Sequence, residues 1–311
     1  MIRTRVRRRL LLGCSRHGFT RTDVVTLLLI VVGLLLVASM LLPAFRRERR
    51  HAIQQLCGRN LAEIGKAMLA YANDHDGALP VAGGKGTVWG PGLDDWKAAS
   101  RDDAFGCDAN GAGGEATISA SLYLLARYGG VSPDLFVCPK DKGTTAFRPA
   151  KYGIGAEGLS GAWDFGPAPL RHCSYAYHMP YCGHALTTSA EPGVAVAADR
   201  NPWIDGPRQK AAEFSLFTPD IGPFKGTVQQ GCQGNSLTHR GGISHDDGQT
   251  VLFLDSHVEF ARRAFCGLED DNVYTSWDGK DKVRGVPPKA YESQPADARD
   301  SLLLNDPPLK R

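Results

Sequence analysis

The chain lacks the short motifs that mark most catalysts. Its 311 residues contain no G-x-S-x-G elbow, no Walker-type phosphate loop, no H-E-x-x-H and no C-x-x-C, which removes the common hydrolase, nucleotide-binding, zinc-protease and redox patterns. Gly83-Gly84-Lys85-Gly86 is glycine-rich but lacks the spacing that cradles a phosphate. No repeat with a solenoid period is visible, and there is no strand–helix alternation of the kind that builds a doubly wound sheet. With 36 glycines and 19 prolines scattered aperiodically, a coiled coil and a collagen-like repeat are also excluded. Acidic residues are missing from residues 1–18, which hold Arg3, Arg5, Arg7, Arg8, Arg9 and Arg16. Without those arginines the net charge of +3 becomes 3 − 6 = −3. The body is mildly acidic, so a surface that tracks nucleic-acid phosphates is not expected.

One long run of apolar residues is present. Val24–Leu42 carries no charge, and its only weakly polar side chains are Thr26 and Ser39. Its length, about 28 Å as a helix, approaches the roughly 30 Å hydrocarbon core of a bilayer. The short N-terminal flank is the more basic one: Arg21 adds to the leader arginines, against Arg46, Arg47, Arg49 and Arg50 beyond the span. That bias places the N-terminus in the cytoplasm and the body outside.

The processing of this N-terminus has several readings. Ala38-Ser39-Met40 is a poor signal-peptidase site after an overlong apolar stretch, and Leu11-Leu12-Gly13-Cys14 looks like a lipobox without the apolar core that should precede it. An uncleaved signal anchor is a third option. The fourth rests on Arg16-His17-Gly18-Phe19-Thr20-Arg21-Thr22-Asp23, a basic stretch ending in Gly, then Phe, then an acid at the fifth position, then the apolar run. This pattern resembles the type IV prepilin and type II secretion pseudopilin signature. The resemblance implies cleavage after Gly18 by a prepilin peptidase, N-methylation of Phe19, and a pairing of Asp23 with the terminal amine of a neighbouring subunit during filament assembly. Asp23 lies four residues after Phe19, on the same helical face, and a carboxylate in the first turn favours the helix dipole. The chain departs from the usual pattern in having Asp for Glu, Arg21-Thr22 for an apolar pair, and a kink proline, Pro43, about three residues late.

Beyond Pro43 helical periodicity continues through Ile53, Leu56, Leu61, Ile64, Met68 and Tyr71, with a stop at Asn73–Gly77 and Pro80. The text CGRNLAEIGKAMLAYANDHDGALP is similar to the post-membrane helix of a pseudopilin subfamily. Residues 82–116 read as a loop or insertion, and Ser119 to Tyr128 as a short amphipathic helix closed by Gly129-Gly130. Short apolar runs at Leu135–Val137, Tyr175–Tyr177, Gly193–Ala198, Thr250–Leu254 and His257–Phe260 predict antiparallel strands.

Near the C-terminus, His245 is followed after nine residues by Asp255-Ser256-His257. This resembles the "H-X9-DG" element of many prepilin-like proteins, with Ser256 where Gly is usual. It predicts a hairpin over 245–260 in which Gln249–Leu254 and His257–Phe260 flank a two-residue Asp255-Ser256 turn. Cys138-Pro139, Ser174-Tyr175-Ala176-Tyr177 and Asp271-Asn272-Val273-Tyr274 are similar to that subfamily more weakly. Asp246, Asp247 and Asp255, near His239, His245 and His257, are candidate metal ligands. Ordinary turn chemistry is the preferred explanation, calcium the second and a catalytic zinc the third, and no cofactor is expected. Of eight cysteines, seven lie beyond the leader, where disulfides persist if the body is outside. Cys173 and Cys182 are close enough in sequence to close a short loop; two or three bridges are expected without a connectivity, the odd count leaving at least one free thiol or an intermolecular bond.

These observations predict an α+β, pilin-like fold: a basic leader (1–18), a long helix (19–76) with its membrane span at 24–42, and a periplasmic globular domain (77–311) whose antiparallel sheet covers the helix. The expected protein is not an enzyme. It is a single-pass inner-membrane structural subunit of a type II secretion or type IV pilus-like assembly, partnered by the prepilin peptidase, neighbouring pilin-like subunits, the inner-membrane platform and the bilayer. The alternative is a membrane-anchored periplasmic binding or hydrolytic domain that borrows a prepilin-type sorting signal.

Overall fold

The computed structural model describes residues 20–141, 143–207, 210–211, 213–217, 219, 248–277 and 279–309. It divides into two compact units, Met1–His51 and Ala52–Arg311. Helix α1 (Arg21–Asn73) contributes to both.

In the first unit, α1 supplies a segment long and apolar enough to cross a membrane. Arg21–Leu42 has a mean hydropathy of 3.0, and none of it is buried. Its hydroxyls return to the helix that carries them: Thr26 Oγ1 donates to Thr22 O at 2.9 Å and Ser39 Oγ to Leu36 O at 2.7 Å. That satisfies the polar atoms without water, as a lipid environment demands. So much exposed apolar surface is unlike the exterior of a soluble monomer.

In the second unit, the C-terminal part of α1 is a core element. Cys57, Leu61, Ile64, Met68 and Ala72 are buried at spacings of three and four. Glu63 and Lys66 pair on the exposed side at 2.9 Å. The helix ends at Asn73, a little before the expected position. Gly77, at φ +81, donates its N–H to Ala72 O at 2.8 Å, a left-handed turn that glycine enters without strain.

The sheet has five strands in the order β6-β5-β4-β3-β7, all antiparallel. They are β3 (Tyr175–His178), β4 (Ala195–Asp199), β5 (Gln249–Phe253), β6 (Val258–Ala261) and β7 (Leu303–Leu304). Residues along the strands alternate between two apolar clusters. Tyr175, Tyr177, Val196, Leu252 and Leu304 join the cluster that contains Leu61, Ile64 and Met68 of α1. Ala176, Ala195, Val251, Phe253 and Leu303 join the other, with Trp203, Phe217, Val273 and Tyr274. With both faces covered, the central strands read as apolar runs. The helix lies close to the sheet at Gly65, where a Cβ would sit 2.8 Å from Leu252 Cδ1, and more loosely at Gly58, where the nearest atom is 3.8 Å away.

Helix α3 (Ile118–Gly129) is capped by Thr117, whose side chain accepts from Ala120 N, and closed by Gly130 at φ 63. Two expectations are corrected. Residues 82–116 contain helix α2 (Arg101–Phe105) and a parallel pair of short strands, β1 (Val88–Trp89) and β2 (Glu115–Ala116). Pro133–Phe136 is a 3-10 turn instead of a strand, because Pro133 sits at its first position and Ser132 accepts from Asp134 N.

Candidate functional site

Three places carry the residues singled out by the sequence. At the start of α1, Thr20 and Asp23 satisfy each other's orphan groups. Asp23 Oδ2 accepts from Thr20 N at 2.9 Å and from Thr20 Oγ1 at 2.7 Å, while Asp23 N donates to Thr20 Oγ1 at 3.3 Å. This is a capping box with Asp in place of Glu, and its T-x-x-D text ahead of an apolar run is a readable signal. Gly18 and Phe19 lie outside the described residues.

The second place is the β5–β6 hairpin, which the described residues form over Gln249–Ala261. Ser256 N donates to Phe253 O at 2.9 Å and Phe253 N to His257 O at 3.0 Å. The turn is three residues, Leu254–Ser256, and not the expected two, because Phe253 and His257 still pair; its last position, Ser256 at φ 73, is left-handed, the geometry that favours glycine. Asp255 Oδ1 accepts from His257 N at 3.0 Å and from His257 Nδ1 at 2.5 Å. The imidazole stacks on Phe253 with ring centroids 4.3 Å apart. Slight burial opposes ionisation of Asp255, but the His257 backbone and ring hydrogen bonds outweigh it and hold the carboxyl below its ordinary range. Asp255 therefore organises its own turn. Among the described residues no group of three or more His, Cys, Asp or Glu is placed to hold a metal. His245, Asp246 and Asp247 lie outside the described residues, as does His239.

Cys173 and Cys182 do not form the expected bridge: both are thiols. Cys173 Sγ lies 3.6 Å from Tyr175 O and Cys182 Sγ 3.1 Å from Met179 O. The intervening chain runs through β3 and fastens each sulfur to a local carbonyl, so nearness in sequence does not become a pairing.

The third place was not anticipated. Asp306 and Asp164 lie buried at the N-terminus of α3. Asp306 Oδ1 accepts from Ile118 N at 2.8 Å and Trp89 Nε1 at 3.0 Å, and its Oδ2 accepts from Ser119 N at 2.9 Å. Asp164 Oδ2 accepts from Thr117 Oγ1 at 2.5 Å and Ser119 Oγ at 3.3 Å, and Oδ1 from Phe165 N at 2.7 Å. Burial pushes the Asp164 carboxyl up to about 8, helped by the nearby Asp306 charge. Burial likewise raises Asp306 against its three donors. A displaced carboxyl is a catalytic candidate only where substrate can reach it. Here the oxygens of Asp306 fasten the C-terminal segment to the start of α3, and those of Asp164 fasten the 164–165 segment to Thr117 and Ser119. Beside Asp306 is a cleft of about 600 Å³ lined by Pro91, Pro169, Arg171, Pro207, Pro308 and Leu309. Its described lining holds no hydroxyl, thiol or imidazole, and its one acid is Asp306, whose oxygens already accept from Ile118 N, Ser119 N and Trp89 Nε1.

No protein-family model, curated protein or solved structure matches the chain. The geometry itself therefore has to carry the function. It offers an unburied apolar first part of α1, capped at its start by Thr20 and Asp23, and a sheet domain packed on the rest of that helix.

Proposed function

We propose that the chain is a pseudopilin-like structural subunit. A prepilin peptidase cuts it after Gly18, and Phe19 is then N-methylated. It spans the bacterial inner membrane once, with residues 52–311 on the outer side, and enters a type II secretion or type IV pilus-like assembly through helix packing and the charge of Asp23. Its partners are neighbouring subunits, the inner-membrane platform and lipid. The supporting observation is α1 itself. Its apolar first part is wholly unburied, while the same helix supplies Cys57, Leu61, Ile64 and Met68 to the core of the sheet domain. An apolar leader destined for removal has no physical reason to be continuous with a core helix, whereas a subunit that packs by this helix needs both parts. The pilin-like arrangement of long helix and antiparallel sheet supports the same conclusion.

The mature N-terminus tests it. Mass spectrometry of the protein from its native membrane is expected to find N-methylated Phe19. An intact Met1, or a terminus beyond Leu42, overturns the proposal.

A further inference from the structure

We propose that Cys57 and Cys138 are the two halves of a disulfide that fastens α1 to the segment just after the Pro133–Phe136 turn. Both are thiols in this structure, as the other described cysteines are, but only these two sulfurs are in mutual contact among the described residues, 2.7 Å apart, a small shift from the bonded distance of about 2.05 Å. Both side chains are 0% exposed. The segment is held beside the helix at a second point, where Asn60 Nδ2 donates to Val137 O at 3.3 Å. It is tied to the sheet as well, since Ser174 N donates to Phe136 O at 2.8 Å. The two cysteines meet because of the fold and not through local chain geometry: they are 81 residues apart in sequence. The other described cysteines face nearby carbonyls: Cys107 that of Gly113, Cys173 that of Tyr175, Cys182 that of Met179 and Cys266 that of Ala264.

The oxidant is a disulfide-bearing thiol-exchange partner, R–S–S–R. One cysteine thiolate attacks it and releases RSH as a mixed disulfide forms; the second cysteine then displaces the other RSH. The balance is Cys57-SH + Cys138-SH + R–S–S–R → Cys57-S–S-Cys138 + 2 RSH, with two electrons passing to the oxidant and both protons leaving on its thiols. Contact with Cys138 and burial push the Cys57 thiol far above its ordinary range, so the docked pair is unreactive. Exchange accordingly occurs during folding, before α1 docks, and docking then shields the bond. The bond goes beyond the proposed function and does not require it. Only its formation in cells rests on the outward placement of residues 52–311.

The experiment uses the full chain in detergent, denatured with an alkylating reagent and no reductant, then digested and mapped by mass. One sample comes from bacterial membranes and the other is refolded in a mixture of reduced and oxidised glutathione. In both, the Cys57 and Cys138 peptides are expected joined, two hydrogens lighter than their sum, while Cys107, Cys182 and Cys266 are alkylated. In Cys138→Ser, Cys57 is expected to become fully alkylated. A bond in the refolded sample alone supports the pairing and counts against the outward placement. Full alkylation of Cys57 and Cys138 in both samples overturns the pairing, and that result is read on the unsubstituted chain, so it depends on no variant that must fold.

Discussion

Two glycines on one face of α1 should respond in opposite ways to the same substitution. Gly58→Ala adds a Cβ at 3.8 Å from Val258 Cγ1 and 3.9 Å from Thr250 Cγ2, ordinary contacts. The change therefore keeps most of the helix-propensity gain, about 0.5–1 kcal/mol. Gly65→Ala has the same gain, but its Cβ falls 2.8 Å from Leu252 Cδ1 and 3.2 Å from Cδ2. Leu252 is 1% exposed, and the void beside it is only about 10 Å³, so its side chain has little room to retreat. Overpacking of this kind costs about 1–3 kcal/mol, leaving Gly65→Ala destabilised by up to about 2 kcal/mol. Leu252→Val removes the clashing end at a cost of about 1 kcal/mol alone. Combined with Gly65→Ala it should cost less than the sum of the two, with a coupling of about 1 kcal/mol. All five tryptophans, Trp89, Trp96, Trp163, Trp203 and Trp277, lie in the second compact unit, so urea unfolding of the detergent-solubilised chain followed by fluorescence reads that unit alone. Equal stabilisation by the two alanines, or strict additivity with Leu252→Val, refutes the close approach of this helix face to β5.

Other expectations follow from single side chains. Ser256→Gly relieves a left-handed conformation that costs an L-residue about 1–2 kcal/mol; the urea midpoint should rise by an amount equivalent to about 1 kcal/mol. Asp306→Ala strands three donors, Ile118 N, Ser119 N and Trp89 Nε1; at about 1–3 kcal/mol for each buried orphan, the domain should lose several kcal/mol and the Trp89 emission should shift to the red. The Asp164 carboxyl, at about 8 when folded against an ordinary 3.8, binds its proton more tightly in the folded state. Stability should therefore fall as pH rises between those values. His178, lowered by burial to about 4 from 6.5, acts oppositely, with stability falling as pH drops from 6.5 towards 4. Between pH 6.5 and 8 the decline traceable to Asp164 is on the order of 2 kcal/mol, and Asp164→Asn should flatten that part of a pH series of urea midpoints. A slope that Asp164→Asn leaves unchanged there would show that the carboxyl is ordinary.

The α+β class was legible because its strongest local signals agree. Thr117 and Gly130 bracket α3, Asn73–Gly77 stops α1, and the polar turn at Asp255-Ser256 separates two apolar runs. What escaped depends on distant partners. Leu303–Leu304 is too short to read as a strand, and becomes β7 only because Tyr177 and His178 present an open edge. Leu135–Val137 has the composition of a strand, but Pro133 and the Ser132 cap turn the chain first. Asp306 looks like an ordinary tail acid. Its role exists only because the fold brings it to amides 187 and 188 residues away. Pairing by nearness along the chain chose Cys173 and Cys182, whereas the sulfurs in contact belong to Cys57 and Cys138.

The same contrast between local and distant demand bears on Asp23. Its carboxylate already accepts from Thr20 N and Thr20 Oγ1, so an account that needs only a capped helix is complete within one chain. Capping does not cancel the charge, however, and a carboxylate at the edge of an apolar span remains costly without a cation. The two demands separate by substitution. Asp23→Asn keeps an oxygen for the capping box and loses the charge; Asp23→Ala loses both. If Asp23 recruits the amine of a neighbouring subunit, both variants should insert into the membrane and both should fail to cross-link with wild-type subunits. If its role ends at the cap, Asp23→Asn should cross-link like the parent and only Asp23→Ala should weaken. In vivo cross-linking from an introduced cysteine in the membrane span distinguishes the two. Rescue by Asp23→Asn would leave the carboxylate a structural cap and remove the charge-pairing step from the proposed assembly.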